Sequence, residues 1–219
     1  MLFFTLRGRR SPLFFLLVFL VSARLSACEP PSPVTEALLR DYPTEIASVT
    51  TFRTTGLSRQ EADDFLKSAA GSRLLDALGK ADPGAAADTL YARALDLVLS
   101  GSDAPRLISP AESLVKLVPH GQSVSAYSAY FTTMDEVERI DGEGRCFADA
   151  FAVPVRSEAA RYDLYAIEPR SADALMFAST IAPARELDGK VIRRGGAMQY
   201  LVPNRKDWSE PRKLRELAQ

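Results

Sequence analysis

The period of apolar and polar positions changes near residue 105, and that change divides the chain. Between Ser58 and Leu99, apolar residues recur three and four apart. Phe65, Ala69, Leu74, Leu75 and Leu78 make one stripe, and Leu90, Ala94, Leu95, Leu97 and Val98 make another. Such spacing puts apolar side chains on one face of an α-helix. Ser58-Arg59-Gln60-Glu61 predicts a helix start, because the hydroxyl and the carboxylate can each serve an orphan amide. Gly71 predicts an interruption and Asp82-Pro83-Gly84 a stop. A second helix is expected over Ala85–Leu99, with Gly101 as its C-cap. Residues 34–104 therefore read as a helical module.

Beyond it the apolar runs shorten, and aromatic and β-branched residues become common. Residues 114–118, 146–153, 162–167, 174–181 and 197–202 are expected strands. Turns at Pro119-His120-Gly121, at residues 141–144 and at Arg194-Gly195-Gly196 separate them. Thr133 and Glu136 form a second capping box, which predicts a short helix over 133–140. The fold class is α+β, an N-terminal helical module followed by a small mainly antiparallel β domain over 105–219.

The N-terminus carries a third pattern. Arg7, Arg9 and Arg10 precede a nine-residue apolar run, Leu13 to Val21, long enough for a signal peptide and too short to span a bilayer. Leu25-Ser26-Ala27-Cys28 then resembles the lipobox of bacterial lipoproteins. The resemblance implies cleavage after residue 27 and acyl chains, palmitate among them, on Cys28. Glu29 rather than Asp after that cysteine implies outer-membrane sorting in the cell envelope. The alternative is an ordinary cleaved signal and a secreted protein. Pro30, Pro31 and Pro33 make residues 28–33 a tether that no regular element can occupy.

Charge sharpens this division. The 219 residues carry 27 basic and 28 acidic side chains, a net of −1. Residues 1–27 hold four arginines and no acid, so 23 basic and 28 acidic residues remain for 28–219, a net of −5. An acidic mature chain disfavours nucleic acid and anionic lipid as partners. Cysteine use leaves two alternatives. If Cys28 is acylated, Cys146 has no intramolecular partner; if it is not, a Cys28–Cys146 bridge is open to an exported protein.

Several machineries are absent. The chain has no P-loop, G-x-G-x-x-G or G-x-S-x-G. His120 is the one histidine, so neither a metal centre nor a cofactor is expected. Between a proline and a glycine, it reads as an exposed turn residue. Glu136, Glu138, Asp141 and Glu143 read as a solvated face.

The segment from about 112 to 204 is more informative. It contains Leu114–Pro119, Ser125–Thr133, Tyr162-Asp163-Leu164-Tyr165, Ser179–Pro183 and Gly195-Gly196-Ala197-Met198-Gln199-Tyr200. This order resembles the tuberculosis necrotizing toxin family, secreted NAD⁺ glycohydrolases. The resemblance implies an enzyme that releases nicotinamide from NAD⁺. Gln199 would position ribose or water, and Asp163 would stand where the family has a polar histidine. Lys116 and Arg194 would contact phosphates beside the Gly195-Gly196 turn, and Tyr127 or Tyr200 would stack on a ring of the substrate. The chain departs from the family at Ala197, in place of a third glycine, and at Lys116, in place of an arginine. ADP-ribosyl transfer would need a late-strand glutamate, and the nearest, Glu186, is expected in a loop. The alternative function is a non-catalytic envelope lipoprotein whose helical module binds a partner protein.

Overall fold

In the computed structural model, residues 53–110, 113–186 and 191–218 are described. Three helices follow a two-residue strand, β1 (Arg53–Thr54): α1 (Arg59–Leu66), α2 (Ala69–Ala81) and α3 (Ala87–Leu99). The capping box forms at Ser58: its hydroxyl accepts from the Glu61 amide at 3.2 Å, and its amide donates to the Glu61 carboxylate at 2.8 Å. The break comes earlier than Gly71. Ser68 caps a new helix there, accepting from the Gly71 amide at 3.1 Å. Gly71 lies in the first turn of α2, where a Cβ would sit 2.2 Å from the Phe65 carbonyl oxygen. Ala62, Leu66, Leu74, Leu78, Leu95 and Val98 close against one another and against Phe177 and Leu201 of the β region. The helical unit thus shares a continuous apolar core with the sheets.

The rest is an antiparallel α+β assembly, as expected. Its elements are β2 (Arg106–Ile108), β3 (Leu114–Pro119), β4 (Tyr130–Phe131), α4 (Met134–Gly142), α5 (Phe147–Ala150), β5 (Arg161–Ile167), β6 (Met176–Thr180), β7 (Ala184–Glu186), β8 (Val191–Arg193), β9 (Met198–Leu201) and β10 (Arg212–Ala218). They pair as sheets ordered β1-β7-β8, β10-β5-β3 and β2-β6-β9-β4. Thr133 caps α4, accepting from the Glu136 amide at 3.3 Å, but the expected box does not close, because the Glu136 carboxylate is taken by Arg139 and the Met198 amide.

Residues 146–153, expected as a strand, instead form α5 and a turn. Phe147 and Phe151 are one helical turn apart, with ring centroids 6.3 Å apart, so their spacing served a helix face rather than a pleat. Strands β2, β7, β8 and β10 carry charged residues in place of apolar alternation and gave no strand signal. The C-terminal segment, where no strand was expected, is β10, paired with Arg161–Ala166 of β5 with a register shift between Lys213 and Arg215.

Candidate functional site

Directly opposed residues of an antiparallel pair share a face of the sheet. The register opposes Lys116 to Tyr165, Val118 to Asp163, and Asp163 to Glu216. These side chains therefore share one face of β10-β5-β3. The other face, with Val115, Leu164, Ala166 and Tyr162, packs into a core with Val137, Ile140 and Phe147. The first face is mixed: Leu114 and Ile167 at one end pack into a second apolar cluster with Phe131 and Trp208, and the charges gather around Asp163.

Asp163 is the centre of those charges and is only 2 % exposed. One carboxylate oxygen lies 2.9 Å from His120 Nδ1 and 2.9 Å from Lys213 Nζ. The other accepts the Gly121 amide at 3.0 Å. Lys213, helped by His120 and Gly121, holds the carboxyl well below the usual carboxylate range, against the opposing effect of burial. Asp163 in turn holds the Lys213 ammonium above its ordinary value. Glu216 approaches His120 Nδ1 at 3.4 Å and Lys213 Nζ at 3.3 Å. The His120 side chain stays 36 % exposed, and among the described residues its Nε2 makes no hydrogen bond. An ionised acceptor on Nδ1 favours the Nδ1–H tautomer and leaves Nε2 as a free base. His120 is an exposed turn residue, as expected, and in addition the β3–β5 register brings its ring onto the Asp163 carboxylate.

His120, Asp163 and Glu216 could also offer a metal three ligand atoms, all within 4.8 Å of one another. The Lys213 ammonium already stands among these oxygens and supplies the positive charge.

Of the other residues expected at a site, Lys116 alone shares a face with Asp163. Its ammonium donates to the Tyr130 carbonyl at 2.9 Å, and burial pulls its pKa down to about 8. Gln199 is 3 % exposed on β9, and its amide donates to Ser100 Oγ at 2.8 Å and Ser179 Oγ at 3.0 Å. It ties the end of α3 to the β6–β9 pair. Tyr200, next to it, packs against the cluster of Leu114, Phe131 and Trp208, and burial raises its pKa. Tyr127 is 94 % exposed in the loop after β3.

The glycine turn makes its close approach within the chain. Gly195 has φ +64°, and a Cβ there would meet the Ile181 carbonyl oxygen at 2.6 Å. Its amide donates to the Asp149 carbonyl, and the Gly196 amide to that of Ile181, both at 2.9 Å. Arg194 pairs with Asp149 at 2.7 Å. Gln199 and the Arg194–Gly196 turn therefore have internal partners and lie on elements outside the β10-β5-β3 sheet. Glu186 ends β7 rather than lying in a loop; it is 8 % exposed and accepts the Val155 amide at 2.7 Å. Lys213 and Glu216 went unrecognised because they lie on β10, a strand with no apolar alternation to mark it.

Cys146 is 7 % exposed, directly before α5, and is disulfide-bonded. Cys28, the signal and the tether lie outside the described residues. Among those residues no helix is long and apolar enough to cross a membrane. No protein-family model, curated protein or solved structure matches the chain.

Proposed function

We propose that the protein is exported and that its β domain hydrolyses the N-glycosidic bond of NAD⁺; with two cysteines in the chain, the disulfide at Cys146 favours a Cys28–Cys146 bridge and a secreted domain over an acyl anchor on Cys28. His120 is the acid–base group of the β domain and Asp163 the residue that orients it. The observation that carries this reading is the 2.9 Å contact between His120 Nδ1 and a buried, charge-compensated Asp163, with no hydrogen bond on Nε2 among the described residues. In the reaction the ribose–nicotinamide bond breaks with its electron pair, and nicotinamide leaves as a neutral base. Water adds to the ribose carbon, and Nε2 takes the proton that the water loses. The imidazolium so formed rests against the Asp163 carboxylate. Nicotinamide release by the purified protein tests this. His120→Gln is expected to lower turnover by about 10²–10⁴-fold, the usual range for a general base. Equal turnover in wild type and variant would refute it.

The second reading, a partner-binding lipoprotein, is favoured by the internal bonding of Gln199, Gly195 and Gly196. A groove between α2 and α3, lined by Leu75, Gly79, Pro83, Leu90 and Tyr91, is where such a partner would dock. Calorimetric titration separates the two, since only the enzyme gives heat with NAD⁺. The anchor has its own test. A sulfur carries a thioether or a disulfide, never both, so the intact mass of the mature protein distinguishes an acylated Cys28 from one bridged to Cys146. A bridged Cys28 would leave a secreted domain.

A further inference from the structure

A second cluster of charges surrounds the ring of Phe131, on β4. The Lys116 ammonium lies 5.6 Å from the ring centroid and the Arg205 guanidinium carbon 5.3 Å from it. Neither cation forms an ion pair among the described residues. Lys116 has the Tyr130 carbonyl as acceptor, and Arg205 donates Nη2 to the Ser209 carbonyl at 3.1 Å. Arg205 Nε and Nη1 are buried with no acceptor at all. So is Nε1 of Trp208, a residue 1 % exposed that packs in the same cluster as Phe131. Glu210 is the carboxylate that acts on Arg205 from nearby, but it is 93 % exposed, and Arg170 at 3.8 Å from it opposes its effect.

What this cluster lacks is all of one kind. Every orphaned atom is a donor, and the two charges are both positive. Buried donors without acceptors are rare and point to an absent partner. That partner must accept hydrogen bonds, and an anion would also offset the buried charge. A phosphate group meets both needs: its oxygens only accept, and a guanidinium and an indole N–H are both donors to such oxygens. Arg205 and Lys116 each keep part of their surface open, while the orphaned atoms themselves are buried, so a ligand would meet the exposed part of the two cations first.

We infer that Arg205, Trp208 and Lys116 form a binding site for a phosphate group. The inference does not depend on NAD⁺ being the substrate. Trp208 is the one tryptophan of the chain, so intrinsic fluorescence reports from inside the cluster. The purified protein is titrated with orthophosphate, with ADP and with adenosine, at ionic strength held constant by chloride. A saturable change in Trp208 emission with orthophosphate or ADP is expected, with none for adenosine. Orthophosphate alone acting identifies a free-phosphate site; ADP alone acting identifies a nucleotide phosphate. Arg205→Met should weaken the response at least about tenfold, and Lys116→Met by less. Arg205→Lys, which keeps the charge but loses the planar fork, should fall between wild type and Arg205→Met. It also serves if Arg205→Met does not fold. No saturable response to either phosphate compound overturns the inference. So does an equal response to adenosine, or a response that the Arg205 variants leave unchanged.

Discussion

The helical unit and the charge cluster on β10-β5-β3 are held by opposite means. In α1–α3 the fully buried residues are apolar, such as Ala62, Leu74 and Val98, and the charged residues pair near the surface, as Arg93 does with Asp82 at 2.7 Å. The stabilising contacts are mostly local or between neighbouring helices. On the sheet face a carboxylate at 2 % exposure is held by a lysine and a histidine from distant parts of the chain. The first region loses stability when volume is removed. The second responds to pH and to the loss of single polar partners, the behaviour expected where structure is arranged for chemistry or binding.

Substitutions can test this contrast. The largest effect is expected at Leu74, which has no exposed surface. Leu74→Ala should cost about 2–5 kcal/mol in urea denaturation, by lost burial and the cavity left behind. A loss much below that range would mean that the helices tolerate voids and do not form a packed core. Lys116→Met should move stability the other way at pH 7, a gain on the order of 1–3 kcal/mol, because it removes a buried charge with no counter-ion. The folded pKa of Lys116, about 8, lies below its ordinary 10.5, so the folded state gives up its proton first. The cost is in full force below pH 8 and is relieved as pH rises toward 10.5, so the gain from Lys116→Met should shrink over that interval. A gain that does not vary with pH would assign it to packing. Ser58→Ala, a smaller change, should cost about 1 kcal/mol, since it removes a helix cap far from any charge cluster.

The Asp163 cluster has a pH signature of its own. A depressed carboxyl contributes stability above its ordinary value of 3.8 and loses it as pH falls through the folded value. The raised Lys213 contributes below its ordinary value of 10.5 and loses its part as pH climbs through the folded value. Wild type should therefore fall in stability on acidification below about pH 4 more steeply than Asp163→Asn. Identical acid limbs in the two proteins would deny the cluster its role.

What the sequence made legible followed range. The caps at Ser58 and Thr133 are spelled within four residues, and both form. The apolar strands β3 and β5 were visible because their own residues alternate or run together. The site was only half visible. Asp163 and Lys116 could be named as candidates, but the residue that gives Asp163 its role is His120, and 43 positions separate them. Only the β3–β5 register joins the two, and no local pattern encodes a register. Lys213 and Glu216 were hidden because β10 carries adjacent charged pairs, Arg212-Lys213 and Arg215-Glu216, where an alternating apolar stripe would have marked a strand. Gln199 and Gly195 illustrate the reverse case: residue types suited to a ligand are engaged by Ser100, Ser179 and Asp149 within the chain.

The central claim is that Asp163 fixes His120 with Nδ1 protonated and Nε2 free. A protein with one histidine allows this to be read without ambiguity, from the ¹⁵N shifts and two-bond couplings of its single imidazole under conditions where the ring is neutral. The account predicts a proton on Nδ1 and a bare Nε2 in wild type, shifting toward the Nε2–H form in Asp163→Asn. A wild-type ring protonated on Nε2, or one that does not respond to Asp163→Asn, would contradict it.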